Sequence, residues 1–272
     1  PAQVAIPWLP GMLGARLRIL PDNVLGEEMH LSWQEAFQVR LDPTSPWYQK
    51  YMEFTDVLVK VSQGRFPVSH AAEIGPTDLH ALLRGHTQSI LDLVTEPEKS
   101  SRLLWLMGEI FVEATRAIWT RLPRFHGGYF DAQYSLWAPG SIIRMQEDAT
   151  ALYSPELYRK FVQPVDRMIA SQFSCSFIHL HSTSMFLLDA FLEIEQIKCF
   201  EINRDASGLP LARLLPYLQK VQGASRPLLV RGAFTPDESK LLLDSLETRG
   251  LMLQILVSDL KDVERLKPVL GM

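Results

Sequence analysis

Apolar, strand-like runs alternate with amphipathic, helix-like segments through the second half of the chain. The runs are short and rich in branched and aromatic side chains, whereas the segments between them repeat apolar residues at spacings of three and four. This alternation is typical of βα units, in which helices connect the parallel strands of one sheet. The predicted strands are 176–181, 197–202, 227–232 and 251–257, and the predicted helices between them are 185–195, 209–222 and 236–249.

The first half of the chain is less regular, although a strong amphipathic helix is predicted at 98–121. Further strands are predicted at 4–8, 66–69, 129–137 and 142–147. Eight strands in 272 residues match a (β/α)₈ barrel, which takes about 250 residues. A doubly wound open sheet is the competing fold, but the sequence has no glycine-rich phosphate loop.

The prediction is therefore an α/β protein with a TIM-type (β/α)₈ barrel as a single domain over 1–272. The segment around 10–50 fits no βα unit, so we expect it to be an irregular insertion in the barrel. The chain opens on Pro1 and runs straight into an apolar segment. We therefore also expect that an N-terminal segment is missing from the sequence.

Composition restricts the setting and the partners. The net charge of −4 provides no basic surface for nucleic acid. The longest uncharged stretch, 168–188, contains His179, His181 and several serines, so we predict no membrane span. Only two cysteines occur, Cys175 and Cys199, which excludes a disulfide framework and indicates a reducing, cytoplasmic setting. We expect a cytoplasmic protein whose partner is a small-molecule substrate, with no nucleic acid and no membrane.

His179 and His181 are the sharpest candidates for chemistry. Residues i and i+2 of a strand share one face, and barrel enzymes build their sites at the carboxyl ends of strands. Two neutral imidazoles on one face can hold a transition metal, most often zinc, and protonated imidazoles can bind a carboxylate. Two structural histidines that bond to neighbouring strands are the alternative, which the spacing alone slightly favours.

Charged and polar side chains also follow several predicted strands. Glu147 and Asp148 end the strand at 142–147 and are candidate catalytic acids, with loop acids of a frayed strand as the alternative. Arg144 on the same strand is a candidate substrate-binding residue. Asp259 follows the last strand, where it offers a late oxygen ligand for a metal or simply caps the last helix.

Three more candidates begin the loops after later strands. Glu201 is a candidate catalytic acid, or a group that orients a metal-ligating histidine. Asn203 and Arg231 are candidate substrate-binding residues, although an ion pair between Glu201 and Arg231 would be structural. Trp8 and Trp137 lie near predicted strand ends and are candidate walls of a substrate pocket.

Several segments between about residues 60 and 258 share their order and spacing with one known family. They are FP at 66–67, GPTDL at 75–79, LLRG at 82–85, YSPELYRKFVQP at 153–164, HLH at 179–181 and GAFTP at 232–236. Together they resemble the uroporphyrinogen decarboxylase (URO-D) superfamily, whose fold is a (β/α)₈ barrel. His179-Leu180-His181 falls where that family has a His-x-Cys-Gly segment.

This resemblance implies an enzyme, and one branch of the family carries out corrinoid-dependent methyl transfer. In that branch a zinc ion is held by a histidine, a cysteine and a later cysteine. His179 matches the first ligand, His181 replaces the cysteine, and Asp259 lies close to the place of the later cysteine. The resemblance thus implies a methyltransferase or demethylase that binds zinc, acts on a small methylated compound and receives its corrinoid from a separate protein. A homodimer is common for this kind of barrel.

The other branch decarboxylates the acetate side chains of uroporphyrinogen without a cofactor. It carries an Arg-Gln-Ala-Gly-Arg segment after its first strand, where this chain reads WLPGMLGAR at 8–16 and lacks the arginine pair. A tetrapyrrole decarboxylase is therefore the second hypothesis. A non-catalytic ligand-binding barrel is the third and belongs to a different class of protein.

Overall fold

The computed structural model describes residues 6–21, 23–71 and 73–271. The chain divides after Ser176 into two compact units, and the second begins at Phe177. The prediction of one domain over 1–272 stays a prediction. None of the helices among the described residues combines the length and apolar character that crossing a bilayer requires.

The first unit is mainly helical. Its helices are α1 (Trp8–Met12), α2 (Trp33–Ala36), α3 (Pro46–Ser62), α4 (Pro76–Arg84), α5 (His86–Thr95), α6 (Pro97–Trp119), α7 (Pro155–Leu157) and α8 (Gln163–Ser171). A 3₁₀ turn, Asp148–Leu152, precedes α7, and a π-helical turn, Tyr158–Val162, follows it. The structure confirms the long helix predicted at 98–121, whose apolar stripe, including Leu103, Met107 and Ile110, is buried.

The strands of the first unit are short. They are β1 (Leu17–Ile19), β2 (Val24–Gly26), β3 (Tyr129–Asp131), β4 (Leu136–Ala138) and β5 (Ile142–Gln146). Strands β1 and β2 form an antiparallel hairpin within the expected insertion at 10–50, and β3 and β4 form another. Strand β5 confirms the strand predicted at 142–147.

Three predicted early strands differ from the structure. The run 129–137 is a hairpin instead of one strand, because its turn includes Ser135 with a left-handed φ of 56°. Residues 66–69 form no strand, and side-chain hydroxyls bond this segment locally, as when Ser62 Oγ donates to the Phe66 carbonyl at 2.5 Å. In the run 4–8, residues 4 and 5 lie outside the described residues, and Trp8 begins α1.

The second unit consists of βα units on a parallel sheet. Its strands are β6 (Cys175–His181, of which residues from Phe177 onward belong to this unit), β7 (Cys199–Asn203), β8 (Leu228–Gly232) and β9 (Leu251–Ile255). Its helices are α9 (Leu188–Leu192), α10 (Leu211–Gly223), α11 (Pro236–Ser245) and α12 (Leu260–Leu270), and a 3₁₀ turn, Ser182–Leu187, precedes α9. These elements confirm the four late strands.

Strands β6 to β9 pair in parallel in the order of the sequence. Strands β6 to β8 are buried on both faces, with Ile178 and Phe200 on one face and Phe177 and Leu229 on the other, which is usual for a parallel sheet covered by helices. The α/β class is therefore correct. The strand count behind the barrel prediction does not hold in the first half, because β1 to β4 pair as antiparallel hairpins.

Candidate functional site

The two histidines of β6 lie side by side at the end of the strand. Strand alternation places His179 and His181 on the same face, as the H-x-H spacing predicts. Their Nε2 atoms are 3.2 Å apart, and their rings meet edge to face at an interplanar angle of 78°. The Nε2 atoms of the two imidazoles therefore lie next to each other.

A buried carboxylate supports the first histidine. The parallel register of β6 and β7 places His179 opposite Glu201, and Nδ1 of His179 hydrogen-bonds to Oε2 of Glu201. Both side chains are buried. An ionised Glu201 only accepts hydrogen bonds, and in that state it places the proton on Nδ1 and leaves a lone pair on Nε2. Glu201 thus fixes the tautomer and orientation of His179, which is one of the roles that the sequence left open.

A second carboxylate supports the second histidine in the same way. Nδ1 of His181 lies 2.7 Å from Oδ1 of Asp205, in the loop after β7. Asp205 is held in place by Ser182, whose backbone N–H and hydroxyl donate to Oδ2 at 3.1 and 3.0 Å, and by the Asn203 amide at 2.6 Å. Partial burial raises the pKa of Asp205, but the hydrogen bonds from His181, Asn203 and Ser182 outweigh it and lower the pKa overall.

The position of the Nε2 atoms has a chemical consequence. Two lone pairs that face each other across 3.2 Å repel, unless one nitrogen is protonated or a cation lies between them. Tetrahedral zinc with Zn–N bonds of about 2.0–2.1 Å sets its nitrogen ligands about 3.3 Å apart. The spacing and the carboxylate behind each ring therefore fit a metal bound by both Nε2 atoms, and they fit equally a shared proton.

The third predicted metal ligand, Asp259, is the N-cap of α12. Its Oδ1 accepts from the backbone N–H groups of Lys261 and Asp262 at 2.7 and 3.1 Å. The structure thus confirms the capping role that the sequence offered as the alternative. Two bonds to the start of the helix occupy this oxygen.

The polar residues of β7 and β8 contact one another. Arg231 donates from Nη1 to Oδ1 of Asn203 at 2.9 Å, and Asn203 in turn donates to Asp205. Asn203 and Arg231 face each other in the parallel register. Glu201 forms a histidine–carboxylate pair with His179.

The acids predicted after β5 lie in the first unit and bond to its helices. Glu147 is buried and accepts from the Thr77 backbone and hydroxyl at 2.9 and 2.5 Å. Burial, together with the nearby acids Asp166 and Asp78, raises its pKa well above the usual value for a glutamate. The contacts with Thr77 join the residue after β5 to α4.

Asp148 and Arg144 are joined through Gln146. The Gln146 amide donates to Asp148 at 2.5 Å and accepts from the Arg144 guanidinium, which lies 5.5 Å from the centre of the Tyr134 ring. The Asp148 backbone N–H donates to Asp78 at 3.2 Å. Arg144 and Gln146 of β5 and Asp148 of the following 3₁₀ turn thus form one row of hydrogen-bonded side chains.

Neither predicted tryptophan lies at the end of a barrel strand. Trp8 belongs to helix α1 and is buried, stacked on Tyr51 with ring centres 4.8 Å apart, so it is a core residue and not a pocket wall. Trp137 lies in the β3–β4 hairpin, half exposed, and donates from Nε1 to the Phe125 carbonyl at 3.1 Å. Tertiary packing, which the sequence pattern does not contain, sets both positions.

Asp205, which contacts His181, and Ser182, which contacts Asp205, were not among the predicted site residues. Asp205 had one signal, because it follows directly after a strand, where parallel sheets gather polar groups. Nothing in the spacing connects it to His181, which lies 24 positions earlier. Burial raises the pKa of the Cys199 thiol to about 12, so this residue is a neutral thiol.

Comparison with known proteins gives a likeness of fold. No family model matches the chain, and no curated protein matches it. Among solved structures, the chain is similar to a methyltransferase from Methanosarcina mazei, with a TM-score of 0.68 and 12% sequence identity. The likeness covers 98% of this chain and 77% of that one. At this identity it shows a shared fold.

Proposed function

We propose that this chain is a metal-dependent methyltransferase of the URO-D type, which moves a methyl group between a small methylated compound and a corrinoid on a separate protein. The observation that carries the proposal is the His179–His181 pair, whose Nε2 atoms lie 3.2 Å apart with a carboxylate behind each ring. The likeness in fold to a methyltransferase and the HLH segment at 179–181 support the same function.

The Nε2 atoms of His179 and His181 would hold the metal. A bound zinc would supply Lewis acidity, which polarises the oxygen, nitrogen or sulfur that carries the methyl group. Glu201 and Asp205 keep the protons on the two Nδ1 atoms, so that both Nε2 lone pairs point outward. His179 has only 7% of its side chain exposed and His181 has 34%, so a substrate approaches from the side of His181.

The transfer is a displacement at the methyl carbon. The bond from the methyl group to its heteroatom breaks, and its electron pair stays on the heteroatom, which takes a proton from solvent. The Co(I) of the corrinoid supplies the electron pair for the new bond to the methyl carbon. The protein's part is to hold the methyl donor in line with the corrinoid and to favour charge build-up on the leaving heteroatom.

Metal content tests the proposal directly. Purified wild-type protein should retain about one equivalent of zinc, and a His179→Ala, His181→Ala double variant should lose it, since both proposed protein ligands are gone. His86→Ala is the matched control, because His86 also contacts a glutamate, Glu28, but lies in the first unit. Zinc-free wild-type protein, or a double variant with wild-type zinc content, would overturn the metal site.

A second measurement addresses the reaction itself. Wild-type protein with cob(I)alamin or a corrinoid protein should demethylate at least one simple donor among methanol, methylamines and methyl thioethers, and the double variant should not. Conversion of uroporphyrinogen to coproporphyrinogen would instead establish the decarboxylase. Retention of zinc without turnover of any donor would favour a ligand-binding protein.

A further inference from the structure

Two arginine side chains of the first unit are largely buried, and they differ in what their guanidinium groups contact. Arg84 of α4, with 10% of its side chain exposed, pairs with Asp92 of α5, since its Nε and Nη2 lie 2.7 and 3.3 Å from the two carboxylate oxygens. Arg144 of β5 is 4% exposed, and its hydrogen-bond partner is the neutral side chain of Gln146. An acid in contact therefore balances the charge of Arg84, but among the described residues no acid does so for Arg144.

The guanidinium of Arg144 keeps a donor that is not used. Its Nη2 donates to Oε1 of Gln146, whereas its Nε is buried without a hydrogen-bond partner in the part of the chain that the structure describes. Arginine does not lose its proton in proteins, and a buried charge without a counter-ion is costly. Arg144 thus offers an N–H donor and a full positive charge to a ligand.

A buried acid near this arginine also has an oxygen that is not used. Glu73, in the segment before α4, accepts from the Leu9 backbone N–H at 3.0 Å through Oε2, and its Oε1 has no hydrogen-bond partner within the described ranges. Burial raises the pKa of Glu73 to about 8, although the Leu9 N–H and the positive charge of Arg144 lower it. At pH 7, below that value, Glu73 can carry a proton and donate it in a hydrogen bond to a ligand.

Polar side chains connect Arg144 with the surface of the first unit. Strand alternation places Arg144 and Gln146 on the same face of β5. The Gln146 amide joins the guanidinium to Asp148, and both Gln146 and Asp148 are half-buried. A small anionic group therefore has a polar path from solvent to the guanidinium.

We propose that Arg144 and Glu73 bind the carboxylate of a small monoanionic ligand, which accepts from Nε of Arg144 and from the protonated carboxyl group of Glu73. A carboxylate has two oxygens for two donors, and its charge balances the guanidinium. A phosphate dianion would bring a second negative charge close to Glu73 and Asp148, so a monoanion fits better. The inference goes beyond the proposed function and does not depend on a metal at His179 and His181.

Thermal unfolding of the full chain at pH 7 and constant ionic strength tests the assignment. Propionate and propionamide have the same shape and differ in charge. Two charge-assisted hydrogen bonds suggest an affinity of about 1 mM, so about 20 mM propionate should raise the Tm by at least about 3 °C. Propionamide should leave the Tm unchanged. Arg144→Met should abolish the propionate shift, and the matched control Arg84→Met should keep it.

The two arginine variants should also differ in stability without any ligand. Arg144→Met removes a buried charge that has no acid in contact among the described residues, so the Tm should stay the same or rise. Arg84→Met leaves the buried Asp92 without its positive partner, so the Tm should fall by at least about 5 °C. If Arg144→Met lowers the Tm as much as Arg84→Met does, Arg144 is a structural residue and the proposal is wrong.

Variants of Glu73 test the second donor. Glu73→Gln keeps an acceptor for the Leu9 N–H and supplies an N–H for the ligand, so most of the propionate shift should remain. Glu73→Met has no donor, and the shift should fall by at least half. Equal shifts in the two variants would show that Glu73 gives no hydrogen bond to the ligand and would overturn its part in the site.

NMR of the arginine Nε–H groups measures binding in the wild-type protein at the atom that is proposed to make the bond. The Arg144 signal, assigned by its loss in Arg144→Met, should move with propionate and not with propionamide, and the Arg84 signal should not move. The proposal is wrong if the Arg144 signal stays in place, if both probes shift the wild-type Tm equally, or if the shift survives in Arg144→Met. An equal or larger Tm shift with inorganic phosphate would contradict the assignment to a carboxylate.

Discussion

Both units of this protein bury carboxyl groups, but they neutralise them differently. In the second unit, Glu201 and Asp205 each face a histidine nitrogen. In the first unit, Glu147 bonds to Thr77, and the carboxyl group of Asp166 accepts from the Tyr158 hydroxyl at 2.6 Å. The hydroxyl partners carry no positive charge, whereas a histidine can bind a proton or a metal ion and so place a positive charge beside the carboxylate.

The acids of the two units also differ in the direction of their pKa shifts. Burial raises the pKa of Asp166 to about 7 and the pKa of Asp78 to about 7, with a further rise at Asp78 from neighbouring Asp148. Asp78 of α4 accepts from the backbone N–H groups of Asp148 and Ala149, and Asp166 of α8 accepts from Tyr158 of the π-helical turn. Asp205, by contrast, has a lowered pKa, because its hydrogen bonds with His181, Asn203 and Ser182 outweigh its partial burial.

The largest expected effect is a pH dependence of stability that originates in the first unit. Asp166 has a pKa of about 7 in the folded protein and an ordinary pKa of 3.8 in the unfolded chain. As the pH rises, the unfolded chain therefore loses this proton at a lower pH than the folded protein does. Its contribution to the free energy of unfolding is therefore greatest below pH 3.8 and falls as the pH rises to about 7. Asp166→Asn removes the titration and keeps an acceptor for Tyr158.

Chemical denaturation at a series of pH values measures this effect. Between acid and neutral pH, the stability of Asp166→Asn relative to wild type should rise by on the order of a few kcal/mol. Glu53→Gln, at an exposed acid, should give a curve parallel to that of wild type. If the Asp166→Asn curve is also parallel, Asp166 is ionised in the folded protein and the contrast between the units disappears.

A smaller effect is expected when the buried acid of the second unit is neutralised. Glu201→Gln keeps an acceptor for Nδ1 of His179 but removes the charge, so zinc affinity should fall by about 10–100-fold. Asp166→Asn neutralises a buried acid that bonds to a tyrosine, and should leave zinc affinity unchanged. Competition with a chelating dye measures the zinc affinity of each variant. If both variants lose the same affinity, neutralising any buried acid weakens zinc binding, and contact with a histidine is not the cause.

The second half of the fold could be predicted because its signals are local. The strand predicted at 176–181 is β6, and the run 227–232 contains β8, since apolar runs bounded by turns determine buried strands without help from distant residues. The proximity of His179 and His181 followed in the same way from strand alternation. The partners Glu201 and Asp205 depend on the register between β6 and β7, which no local pattern encodes.

The first half could not be predicted as well because long-range contacts decide its local structure. Trp8 begins a helix, and its indole stacks on the ring of Tyr51, which lies 43 residues later in the chain. The run 129–137 alternates like one strand, but the left-handed Ser135 turns it back on itself. An apolar run of this length is compatible with a strand, a hairpin or a helix, and packing selects among them.

The smallest expected effect separates a capping residue from a metal ligand. Asp259→Ala removes two hydrogen bonds at the start of α12, so it should lower the free energy of unfolding by about 1 kcal/mol. Thr235→Ala, at the N-cap of α11, is the matched control and should lower the free energy of unfolding by a similar amount. Zinc content should be unchanged in both variants. A loss of zinc in Asp259→Ala alone would make Asp259 a ligand after all, and would place a carboxylate of α12 beside the histidines of β6.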